Sequence, residues 1–118
     1  MIYEPRHVLA EALRTVPGFN GNVHEYPPDV LSPVVAYVER VVIDRERPGL
    51  RTLSLGAEIV IVADGSSTEA RRTLDESGAA AWMALNRVST PQSMSTEIVG
   101  DGPTYPAIRL IVTTSTAC

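Results

Sequence analysis

Residues 34–62, VVAYVERVVIDRERPGLRTLSLGAEIVIV, decide the fold. From Val34 to Asp44 the stretch is rich in β-branched side chains, which pack well on a pleated strand. Val34, Ala36, Val38 and Val42 share one phase of the two-residue repeat, and Val35, Tyr37, Val41 and Ile43 share the other, so both faces carry apolar groups. Asp44-Arg45-Glu46-Arg47-Pro48-Gly49 then interrupts with charge and turn residues. Beyond it Leu53, Leu55, Ala57, Ile59 and Ile61 alternate along one face of a second strand. Its opposite face, Ser54, Gly56, Glu58, Val60 and Val62, starts polar and ends apolar, and the apolar end needs cover from a helix or from another chain.

On the N-terminal side Val8, Leu9, Ala12, Leu13 and Val16 form one helical stripe, which predicts a helix from about Glu4 to Val16, with Pro5 in its first turn and Pro17-Gly18 ending it. Asn20-Gly21 is a turn signal, and Val23–Tyr26 can form only a short edge strand before Pro27-Pro28 remove two backbone donors.

On the C-terminal side Ser66-Ser67-Thr68-Glu69 has the form of a capping box, in which Glu69 reaches back to the turn that Ser66 opens. Ala70, Leu74, Ser77 or Gly78, Ala81 and Leu85 continue at helical spacing, with Trp82 beside them. Gly78 costs about 1 kcal/mol relative to Ala, so a close approach to the sheet or a kink is expected there. Val88 to Ser95 reads as a polar linker containing Pro91, and Thr96–Val99 and Tyr105–Ser115 flank Gly100-Asp101-Gly102-Pro103 as a hairpin. In the last strand Ile108, Leu110 and Val112 face one side, and Arg109, Ile111 and Thr113 the other. The expected fold is α+β: one domain over residues 1–118, with a small, mainly antiparallel sheet of four to five strands and two amphipathic helices packed on it.

At 118 residues one core suffices. Aromatic residues make up only 5%, so the core is aliphatic and few rings are left for stacking bases or sugars. The formal charge is −4, and the basic residues are dispersed apart from Arg45, Arg47, Arg51 and the pair Arg71-Arg72, which disfavours nucleic-acid binding. Cys118 is the sole cysteine, which excludes an intrachain disulfide, a CxxC pair or a cysteine-rich zinc site. Neither a signal-peptide core nor a run of membrane-spanning length occurs, so the cytoplasm is the expected compartment.

The common hydrolase, phosphate-loop, dinucleotide and zinc signatures do not occur. His7 and His24 lie on different elements without a supporting carboxylate motif. Asp64-Gly65-Ser66-Ser67 could place an acid beside a nucleophile, but a helix cap explains the same letters. Gly100-Asp101-Gly102 is followed by Pro103 and a strand, which makes it a turn and not a phosphate loop. Asp29, Asp75, Glu76 and Glu97 sit on separate elements. No catalytic, metal-binding or cofactor-binding residue is expected, and assembly with other chains is the expected role. The candidate interface comprises the charged tip Arg45, Glu46, Arg47 and Arg51, together with the outward apolar residues Val60, Val62 and Ile111. The tip could meet an acidic protein surface or a phosphate backbone, or simply be solvated.

Read whole, the chain resembles the tail-terminator proteins of long-tailed bacteriophages, particularly those of actinobacterial siphophages. The likeness rests on a leading helix ending in VPGF (16–19), the segment VHEYPPDVLSP (23–33) and the two valine-rich strands around Asp44-Arg45-Glu46-Arg47. The capped helix SSTEARRTLDESGAAAWMALN (66–86) and a terminal hairpin ending in AIRLIVTT (107–114) complete it. The resemblance implies a virion protein, assembled in the host cytoplasm, that forms a hexameric ring on the head-proximal end of the tail tube. Such a ring stops tube growth and joins the head connector, while DNA passes through its lumen without specific binding. No catalysis, cofactor or membrane is implied. The nearest rival is another ring protein of the phage neck or tail; a rival of another class is a small α+β enzyme or ligand-binding module with a pocket between helix and sheet.

Overall fold

Helix α1 (Pro5–Arg14) opens the chain in the computed structural model, which describes residues 5–45, 52–100 and 104–117. Its stripe buries Leu9, Ala10 and Leu13. The helix stops at Arg14, before Val16, because Pro17 begins a separate 3₁₀ turn (Pro17–Phe19) that brings Phe19 into the core. Arg6 fastens α1 to the sheet, its Nη1 donating to the carbonyls of Glu25 at 2.7 Å and Val38 at 2.6 Å while its guanidinium lies 4.2 Å from the Tyr26 ring centre.

Five strands follow: β1 (Val23–His24), β2 (Val35–Arg45), β3 (Thr52–Val62), β4 (Thr90–Val99) and β5 (Tyr105–Ala117), with helix α2 (Thr68–Leu85) between β3 and β4. They form one sheet in the order β1-β2-β3-β5-β4. Every pairing is antiparallel except β1 with β2, so the sheet is mixed but mostly antiparallel, an α+β fold with two helices packed against it. β1 is the expected short edge strand.

Two expectations need correction. Residues 90–95, expected within a linker, belong to β4, because a strand at the sheet edge tolerates Pro91 and needs no apolar alternation. The cap of α2 is Ser67, not Ser66: Ser67 Oγ accepts the Ala70 N–H at 3.1 Å, and Glu69 turns outward, 3.8 Å from Arg72.

A β-bulge gives β2 its two apolar phases. Val38 pairs with Ile59 and Arg40 with Glu58, leaving Glu39 as the extra residue. The helix-facing set therefore runs Ala36, Val38 and then Val41, and the opposite set runs Val35, Tyr37 and then Arg40, Val42.

The main core lies under both helices. It joins Leu9, Leu13, Phe19, Leu74, Ala81 and Leu85 to Ala36, Val38, Ile59, Ile61, Ile108 and Leu110 of the sheet. Gly78 supplies the expected close approach, since a Cβ there would meet Ile108 and Met94.

Candidate interaction surface

Opposite the helices, the sheet face divides into a closed half and an open half. In the closed half Val35, Tyr37, Val60, Val62 and Ala107 form a second cluster, against which Leu31, Val99 and Tyr105 pack. The segment carrying Leu31 is folded back by Asn22, whose Nδ2 donates to the carbonyls of Ser32 at 2.8 Å and Val34 at 2.9 Å. This corrects the expected exposure of Val60 and Val62: both are 0% exposed, because Leu31 from the segment before β2 and Val99 and Tyr105 from the ends of β4 and β5 pack against their cluster within the same chain.

The open half centres on Arg109 of β5. Its guanidinium lies against Glu97 of β4: Nε donates to Oε2 at 3.2 Å, and Nη2 stands 2.9 Å from Oε1 as an ion pair without hydrogen-bond alignment, leaving Oε1 buried with no donor among the described residues. Nη1 reaches Glu58 of β3 at 3.0 Å and also donates to Glu39 at the β2 bulge. One cation thus ties its own strand to its two neighbours, β3 and β4, and to β2 beyond β3. Hydrogen bonding to Glu39 leads the effects that hold Arg109 above its ordinary pKa, against the opposing effect of burial. Burial, reinforced by the Glu39 carboxylate, also raises the pKa of the Tyr37 phenol.

Three carboxylates around one guanidinium leave the cluster short of positive charge. Arg40 supplies only a loose second cation, 3.8 Å from Glu58 with its side chain 69% exposed. Val42 and Ile111 are exposed beside it, so Ile111 is the one member of the expected apolar trio that reaches the surface. Arg45 ends β2 with its backbone paired to Leu53. Glu46, Arg47 and Arg51 lie outside the described residues.

Nothing in the two histidines assembles a catalytic pair. His7 Nδ1 lies 3.3 Å from Glu25 Oε2 on one side of α1, and His24 Nε2 lies 2.9 Å from Asn22 Oδ1. A cleft of about 280 Å³ between β3 and α2 is lined by Asp64, Ser67, Glu69, Thr73 and Ser77 among others, with the Ser67 hydroxyl committed to the helix cap. Among the described residues no group of three or more His, Cys, Asp or Glu could hold a metal ion, and no helix is long and apolar enough to cross a membrane.

The four charges of this cluster, Arg109 and its three carboxylates, escape a linear reading because they come from four strands, separated by up to 70 positions. One signal does exist: Arg109 stands between Ile108 and Leu110 in an interior strand, where a charge must find partners.

No protein-family model matches the chain, and no curated protein matches it.

Proposed function

We propose that this chain is a structural subunit that forms a ring on the head-proximal end of a long phage tail tube, ends tube growth there and presents the joint to the head connector. The reading joins the whole-chain resemblance to one observation: the sheet outruns its helices. The core cluster ends toward one side at Val41, Ala57 and Val112, while β2, β3 and β5 continue, still paired, to Arg45, Thr52 and Ala117. Eleven-residue strands span about 36 Å, against about 27 Å for α2 and about 15 Å for α1. The longest dimension of the molecule is accordingly 50 Å. A projecting three-stranded tongue supports a role in reaching neighbouring subunits, since a lone domain gains little by extending paired strands beyond its core. The net charge of −4 supports passage of DNA without adhesion. Catalysis plays no part in this role.

Removing the gene from the phage that encodes the chain tests the reading. Overlong tails detached from heads are the expected result in electron micrographs of the lysate. Tails of normal length joined to filled heads would overturn it.

A further inference from the structure

We infer that β4 of one copy pairs antiparallel with the outer edge of β2, residues 39–45, of the next copy, so that neighbouring sheets fuse into one; the inference rests on the ring reading above and names its joint.

The sheet has two unequal free edges. β1 covers β2 only at Ala36 and Tyr37, so the run from Glu39 to Arg45 has no strand on that side among the described residues. β4 ends the sheet on the other side, and among the described residues only β5 pairs with it. The directions agree: three successive antiparallel pairings from β2 through β3 and β5 leave β4 running opposite to β2. A second copy placed alongside in the same orientation therefore presents its β4 antiparallel to that edge. Its helices stay on the same side, and the contact is head to tail, as ring closure requires.

Protection against such pairing is uneven. Soluble sheets blunt their edges with charges, prolines and bulges. In β4 those devices stop early, with Pro91 and the bulge at Gln92. The remaining residues 93–99, SMSTEIV, carry one charge, Glu97. Met94 and Ile98 on this strand are 45% and 73% exposed.

Charge selects a second copy as the occupant and also sets the register. Glu97 belongs to the carboxylate-rich cluster around Arg109, and Arg40 is the loosely held cation on the opposite free edge. Setting Glu97 of one copy opposite Arg40 of the next gives each Glu97 a neighbour's guanidinium in addition to Arg109. The same register puts Ser95 beside Val42, which is 46% exposed, and Thr96 beside Val41. A symmetric β4-to-β4 pairing would instead bring two carboxylate clusters together and leave both β2 edges open.

The test is disulfide trapping in a Cys118→Ser chain that carries Arg40→Cys and Glu97→Cys, since directly opposed residues of an antiparallel pair lie within bridging distance. Oxidation is expected to give a ladder of linked chains that ends in a closed species. Adding Ser95→Lys, with folding checked by circular dichroism and melting temperature, is expected to abolish the ladder. The inference is overturned if no ladder forms, if the ladder survives Ser95→Lys, or if Glu97→Cys alone crosslinks to dimers. Micrographs of tail tubes mixed with the same chains keep the two readings apart. Capped tubes without a ladder would discard this joint and keep the ring, whereas a ladder with uncapped tubes would keep the joint and discard the ring.

Discussion

Gly78 on α2 lies so close above Ile108 on β5 that a methyl group in its place would sit 2.8 Å from Ile108 Cδ1. The same methyl would lie 3.1 Å from Met94 Sδ, but Met94 is half exposed and can swing away, whereas Ile108 is buried. Alanine gains about 1 kcal/mol of helix propensity and loses about 1–3 kcal/mol to overpacking. Gly78→Ala is therefore expected to destabilise by about 1 kcal/mol. In an Ile108→Val background, which removes the obstructing carbon, the penalty should vanish or reverse. Denaturant midpoints of the four proteins of this cycle check the coupling, and a stabilised single Gly78→Ala variant would refute it.

Leu85 is 0% exposed and anchors the last turn of α2 in the main core. Leu85→Ala is expected to cost about 2–5 kcal/mol, read as a lowered urea midpoint with an unchanged slope. An unaltered midpoint would mean that this helix face contributes little to the core.

Loss of Arg109 should be felt across four strands. Arg109→Met would leave Glu39, Glu58 and Glu97 facing one another without their shared cation. Because the cluster is partly solvated, the expected cost lies at the low end for a broken ion pair, about 3 kcal/mol. Adding Glu58→Gln and Glu97→Gln should recover much of it, because the damage is unpaired charge and not lost volume. Equilibrium unfolding of the three variants measures this.

Tyr37 gives the fold an alkaline limit. Its phenol is held above the ordinary value of 10.0, first by burial and then by Glu39, with Arg109 acting in the opposite direction. A raised native pKa contributes stability that is fully present below the unfolded value and is lost as pH rises through the folded one. Melting temperature is therefore expected to fall above pH 10.0, and to fall less in Tyr37→Phe. Equal alkaline losses in the two proteins would assign the limit to other groups.

The elements that pack on the core were legible from their periodicity. The stripes of α1 and α2 and the Leu55–Ile61 alternation each bury one face, and burial is what writes a period into a sequence. Most of β4 was not legible, because Gln92, Ser93, Ser95 and Thr96 are exposed and nothing there requires an apolar residue. The mixed phases of β2 were visible as letters, but their cause was not. A bulge is a feature of pairing, which appears only when Val38 and Arg40 are set against consecutive residues of β3. The same holds for the cover over Val60 and Val62, since Leu31 reaches them only after the chain has doubled back.

Glu39 is both the spare residue of that bulge and a partner of Arg109. Substitution would remove its charge alone. Deletion would leave Arg40 directly after Val38 and close the bulge with every later pairing unchanged, so Val41 would still face the helices and Val42 the opposite side; the outer half turns over only if all the residues are kept and Glu39 is drawn into the ladder. The sidedness of this arm thus rests on one residue standing outside the ladder. Lineages descending from this chain should be able to lose codon 39 without turning the arm over, giving up one partner of Arg109.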